Sequence, residues 1–189
     1  MILSNTEIAA ALERGDFSVE GLAGNDPTDK PFNTSAVDLR LADEVLALEP
    51  DAPSPIDLSR HNVAEMWTHY AKHFVISEER PFQLKSGQLI LAKTVEKVDF
   101  PIREGRPVYS ARVEGRSSLA RCGILVHFTA PTIHSGFSGN ITLEITNMSP
   151  IHYLLHPGIF ICQLIIEEVK GTPVVTDSQF RGQTRAFGR

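Results

Sequence analysis

Apolar residues recur along the first part of the chain at two different spacings. Ile8, Ala9, Ala11 and Leu12 fall at helical intervals behind Ser4 and Glu7, which stand in the relation of a capping box. A short helix is predicted from about Asn5 to Arg14. Residues 22–34 (LAGNDPTDKPFNT) are dense in turn formers and are expected to be irregular. From Ala36 the period shortens. Val37, Leu39 and Leu41 alternate with Asp38 and Arg40, the two-residue repeat of a strand. A Pro-rich loop follows at 51–55. Within 59–74 (SRHNVAEMWTHYAKHF), Val63, Met66, Trp67 and Tyr70 return to helical spacing, and a second helix is predicted there.

Farther on, strands take over. They are expected within 82–101, 123–130, 140–147, 152–155 and 160–169, separated by turn signals at Ser86-Gly87, 136–139, Ser149-Pro150 and Pro157-Gly158. Many short strands with regular turns indicate a mainly β sandwich or barrel with a short N-terminal helix and few peripheral helices. The last dozen residues (SQFRGQTRAFGR) read as a mobile polar tail.

Composition narrows the function classes. A chain of 189 residues fits one domain, here 1–189, and a hydrophobic share of 42% supplies a core, so a disordered chain is excluded. The formal net charge of -5 argues against nucleic acid, which calls for a basic surface. No apolar run approaches the roughly 20 residues needed to span a bilayer. With no basic, apolar leader, Cys122 and Cys162 are expected to be reduced thiols in a cytoplasmic protein. The sequons at Asn33, Asn140 and Asn147 carry no meaning without secretion.

Two stretches carry candidate chemistry. In GRSSLARCG (115–123), Gly115 permits a tight turn, Ser117 or Ser118 can cap a short helix, and Arg116 and Arg121 offer forked donors to phosphate oxygens. A capped helical turn with solvated arginines is the plainer account of the same residues. In NITLEITN (140–147), Ile141, Leu143 and Ile145 share one strand face; Thr142, Glu144 and Thr146 share the other. Glu144 is either a solvent-facing residue or a carboxylate held rigidly on the floor of a pocket. His69 and His73 stand four apart on the predicted helix, but no HExxH and no third ligand accompany them, so no metal site is assigned.

Together these segments resemble the dCTP deaminase branch of the dUTPase-like superfamily. The matching stretches, in family order, are MILSNTEIAAAL at the start, SAVDLRL (35–41), GQLILAKTVEKVDFP (87–101), VEGRSSLARCGILVHFTA (113–130), IHSGFSGNITLEITN (133–147), LHPGIFICQLIIEEV (155–169) and, weakly, QFRGQ (179–183). The segment around 51–75 is the main unmatched part. The resemblance implies a distorted, jelly-roll-like β-barrel assembled as a homotrimer. Its active sites would lie between subunits, closed by the tail at 176–189. Carried over position by position, Arg116, Ser117, Ser118 and Arg121 would contact the triphosphate and the reacting water or base. Ala130 would sit against the base. Thr142, Leu143 and Glu144 would read the cytosine edge, with Glu144 as the catalytic carboxylate supported by Ser117 and Arg121. Gln163, Gln179 and Gln183 would touch nucleotide or phosphate.

The resemblance implies a hydrolase acting on a cyclic amidine C–N bond, turning dCTP into dUTP and ammonia. The H-x-E and P-C-x-x-C ligand set of zinc-dependent base deaminases is absent. Deamination here would therefore proceed without catalytic zinc, and Mg²⁺ would enter on the triphosphate rather than in a protein cage. Three positions depart from the family. His134 stands where an aspartate normally meets the sugar hydroxyl and, in dUTP-hydrolysing relatives, assists phosphate cleavage. Gln179 replaces a tail lysine, and Thr132 replaces a frequent basic residue. Two alternatives follow: a dUTP diphosphatase or bifunctional enzyme, which His134 disfavours, and a nucleotide-binding regulator without turnover.

Overall fold

The computed structural model describes residues 1–49, 55–57 and 63–174, with only the main chain of 63–65. The tail 176–189, with Gln179 and Gln183, lies outside the described residues, as do residues 59–62 of the second predicted helix. The first helix, α1 (Asn5–Glu13), begins where its cap predicts: Ser4 is the N-cap and its hydroxyl accepts from the Glu7 amide at 3.3 Å. Ile8 and Ala11 bury its inner face.

Among the described residues twelve strands follow, ten of them in one large sheet and two in a small accessory pair. In chain order they are β1 (Ser18–Glu20), β2 (Phe32–Asn33), β3 (Ala36–Leu48), β4 (Ala71–Val75), β5 (Phe82–Leu84), β6 (Leu89–Asp99), β7 (Tyr109–Gly115), β8 (Ile124–Leu125), β9 (Thr132–Ile133), β10 (Ser138–Asn147), β11 (Tyr153–Leu155) and β12 (Phe160–Glu168); α2 (Val63–Tyr70) precedes β4 and α3 (Ser117–Arg121) precedes β8. The large sheet runs β8-β10-β6-β3-β12-β7-β9, with β1 on β6 and both β2 and β4 on β3; β11 and β5 form a separate pair. All pairings are antiparallel. Register shifts between Leu41 and Val45, between Asn140 and Thr142, and between Phe160 and Cys162 bend the strands, and the sheet curls into a half-barrel. The mainly β fold with few helices expected from the sequence is the fold observed.

The curl encloses one principal core, built from Val37, Leu39 and Leu41 of β3, Leu143 and Ile145 of β10, and Ile161, Leu164 and Ile166 of β12. β3 is the spine, and it departs from simple alternation. Asp38 is fully buried, because the 21–33 loop folds over the face that carries it.

The second helix is shorter than its apolar spacing predicts. Residues 71–74 are not helical; they open β4, which pairs with β3 from Leu48↔Ala71 to Glu44↔Val75. The open edge of β3 and the edge-to-face contact of Phe74 with Phe82, centroids 5.2 Å apart, outweigh local helical spacing. His69 and His73 therefore share no helix face, and His73 instead meets Glu44 at 3.3 Å. Of the strand expected at 123–130, only Ile124–Leu125 is paired. β7 was not among the expected strands, although Tyr109, Ala111 and Val113 alternate with polar neighbours and are buried.

Candidate active site

The carboxylate side of the site is built on β10. Ile141, Leu143 and Ile145 enter the core, while Thr142 and Glu144 occupy the partly open face. Glu144 pairs with Leu91 of β6 within the long β10–β6 ladder, a rigid mount. Burial strips water from its charged form and pushes its carboxyl above the ordinary glutamate range; a backbone hydrogen bond and the charge of His127 oppose this. His127 Nε2 lies 3.7 Å from Glu114 on β7, and its Nδ1 is buried with no hydrogen-bond partner among the described residues. Leu143 has no exposed side chain, so only its main chain can meet a ligand.

α3 reaches this strand through a glycine. Leu125 and Ile124 pair with Thr146 and Asn147, and the Met148 amide donates to the Gly123 carbonyl at 2.7 Å. Gly123 has φ +76°, and a Cβ there would lie 3.1 Å from both the Ser149 nitrogen and its Cβ. No side chain fits the crossing. Arg116, not a serine, is the N-cap of α3, with extended backbone and no side-chain cap bond. The helix starts one residue earlier than the capping expectation, so Ser117 and Ser118 fall in its first turn. Their side chains, with Arg121 and Ala130, are exposed, and none of them makes a side-chain hydrogen bond among the described residues.

A second cluster, which holds two of the residues expected to bind nucleotide, gathers on β3. Asp38 accepts from Asn33 Nδ2 at 2.8 Å and Gln163 Nε2 at 3.0 Å on one oxygen. Its other oxygen takes Lys30 Nζ at 2.9 Å and Arg116 Nη2 at 3.3 Å. Arg116 also donates to the Phe160 carbonyl at 3.1 Å and stacks over that ring, 5.7 Å from its centroid. Two residues expected to hold nucleotide, Arg116 and Gln163, are thus oriented by one buried carboxylate. Neither Asp38 nor Lys30 was expected here. Asp38 reads as the polar face of an amphipathic strand, and only the loop that covers it reveals its role. Among the described residues, no group of three or more His, Cys, Asp or Glu is arranged to hold a metal.

The model of the dCTP deaminase-like family matches residues 2–169. The chain belongs to that family. A dCTP deaminase, dUMP-forming, of Dictyoglomus thermophilum is 37% identical over 164 residues, covering 87% of this chain and 78% of that protein. One from Methanosphaera stadtmanae, also dUMP-forming, is 34% identical over 189 residues, covering 97% and 90%. A dCTP deaminase of Natronomonas pharaonis is 35% identical over 190 residues, covering 97% and 91%. The fold matches the crystal structure of a dCTP deaminase from Agrobacterium tumefaciens with a TM-score of 0.63 at 19% identity, over 87% of this chain and 47% of that one.

Two of the three positions expected to depart from the family, Thr132 and His134, lie at one sheet edge; the third, Gln179, is outside the described residues. Thr132 belongs to β9, paired with Arg112, and is exposed, as is His134. The turn after His134 is tight: Ser135 Oγ donates to the Tyr109 carbonyl at 2.9 Å, and Gly136 takes φ +86°. Cys162 is buried against Glu96 and Asp38, and burial pushes its thiol far above the usual range; Cys122 is exposed at the end of α3. No helix of the described residues is long and apolar enough to cross a membrane.

Proposed function

We propose that the protein hydrolyses the C4 amino group of dCTP, giving dUTP and ammonia in the cytoplasmic pyrimidine deoxynucleotide pool. Glu144 carries this reading, as a half-buried carboxylate on a rigid strand whose proton affinity is raised toward neutrality. It takes a proton from water, the hydroxide adds at C4, and the same carboxyl returns the proton to the departing nitrogen. Such general acid–base work supplies roughly 10²- to 10⁴-fold. Ser117 and Arg121 stabilise the water and the charge that develops. Thr142 and the main chain of Leu143 read the cytosine edge, Ala130 flanks the base, and His134 meets the sugar. Arg116, Ser118 and Gln163 hold the phosphates, with Gln179 and Gln183 closing over them from the tail. The substrate enters as its magnesium complex. The donor set supports zinc-free chemistry, since Cys122 is exposed and Cys162 buried on another strand.

In this reading the protein is a homotrimer whose sites are completed across subunit boundaries, as the family resemblance implies. The test is chromatography of dCTP incubated with the protein and Mg²⁺. We expect dUTP from the wild type and no uracil product from Glu144→Gln. Equal turnover by the two would overturn the assignment. A dUMP-forming reaction is favoured by the names of the Dictyoglomus and Methanosphaera relatives. His134, which brings no fixed negative charge, opposes it, and pyrophosphate in the same chromatogram would decide for it.

A further inference from the structure

The geometry points to Lys30 as a phosphate-binding residue of this chain. The inference rests on the proposed triphosphate substrate. Lys30 and Arg116 share one oxygen of Asp38, at 2.9 and 3.3 Å. Asp38 is fully buried, whereas the Lys30 side chain is 52% exposed and that of Arg116 27%. The other two partners of Asp38, Asn33 and Gln163, are neutral amides. One carboxylate thus faces two cations, and the surplus positive charge lies on the solvent side. An ammonium has three donors. Those of Lys30 reach Asn33 Oδ1 at 2.8 Å and Asp38 Oδ2, and the third remains for an incoming oxygen among the described residues.

Lys30 is not a loosely placed surface lysine. Its loop is pinned on both sides. Asn5 Nδ2 donates to the Pro27 carbonyl at 2.8 Å, the Phe32 amide to the Asp29 carbonyl at 2.9 Å, and the Asp38 amide to the Pro31 carbonyl at 2.8 Å. Phe32 is buried in the core. The cation is therefore held beside Arg116 before any ligand arrives, which lowers the ordering cost of binding. Among the described residues, Lys30 is the cation that shares an oxygen of Asp38 with Arg116. Lysine serves phosphate as a compact point charge.

The test compares the full-length wild type with Lys30→Gln, Lys30→Met and Lys30→Arg. Two neutral variants keep a folding defect of one from deciding the result. For dCTP we expect KM to rise about tenfold in both neutral variants, the loss of one charge-assisted contact, with kcat within about twofold. Lys30→Arg restores most of the affinity. Deoxycytidine monophosphate, with fewer charges, shows a smaller change. Calorimetry with inorganic tripolyphosphate reads the same contact without turnover, so it remains decisive if the wild type deaminates no dCTP and the proposed function fails. Neutral variants that bind tripolyphosphate and dCTP as the wild type does, even with a lowered melting temperature, would make Lys30 a structural counterion and overturn the proposal.

Discussion

Replacing Asp38 by asparagine isolates what the buried carboxylate contributes. The substitution keeps the shape and removes the charge. The new amide oxygen can replace only one of two acceptors, each of which receives two donors. Turned toward Lys30 and Arg116, it leaves its own NH₂ facing Asn33 Nδ2 and Gln163 Nε2. Those amides can flip to present oxygen, but Asn33 then gives up its bond to Lys30. Turned the other way, the NH₂ faces two cations that cannot become acceptors. Charge-assisted bonds are worth about 1.5–3 kcal/mol each when buried. The Lys30 contact, half exposed, counts for about 1 or less. With Arg116 near 2 and the amide rearrangement near 1, the loss is about 3–4 kcal/mol, in the range for breaking a buried pair. At a urea slope of about 1–3 kcal/mol/M, the midpoint falls by roughly 1–4 M. The assay is urea unfolding of both proteins at one protein concentration, because assembly shifts apparent stability. KM for dCTP rises as well, since Arg116 and Gln163 lose their common anchor. An unchanged midpoint together with an unchanged KM would refute the reasoning.

Four further outcomes follow from the same geometry. Glu144 works ionised, so kcat/KM falls as pH drops through its raised pKa, and the acid limb of the profile lies above the ordinary glutamate value of about 4.3. The same burial makes the native state hold that proton more tightly than the unfolded chain does. Stability is therefore lost as pH rises from the unfolded pKa through the folded one, and Glu144→Gln is expected to melt no lower than wild type at neutral pH. Gly123→Ala, with φ +76° and a Cβ 3.1 Å from Ser149, should cost about 1–3 kcal/mol in the same urea assay. A thiol reagent should modify Cys122 in the native protein and reach Cys162 only on unfolding, read by mass spectrometry.

Local signals carried much of the fold. The Ser4 cap and the apolar spacing behind it place α1 correctly, because a short amphipathic helix on a sheet is decided by its own residues. The alternation of β10 assigns Glu144 to the open face for the same reason. Long-range pairing decided the rest. Residues 71–74 join β4 because β3 offers them an edge, and no periodicity within the segment records that edge. Asp38 reads as a solvent-facing residue of an amphipathic strand, yet it is buried by a loop whose own sequence shows only turns. The candidate site divides in the same way. Motif order picks out Arg116, Glu144 and Gln163, whereas the carboxylate that orients two of them, and the lysine beside it, emerge only from the packing of the 21–33 loop.

The central claim, that water is added at C4 of the cytosine by Glu144, is tested most directly by turnover of dCTP in water enriched in heavy oxygen. One heavy oxygen at the C4 carbonyl of uracil, an intact triphosphate of ordinary mass, and no product from Glu144→Gln are the expected result. Heavy oxygen in a phosphate, with the base still cytosine or with the Glu144→Gln variant fully active, would contradict it.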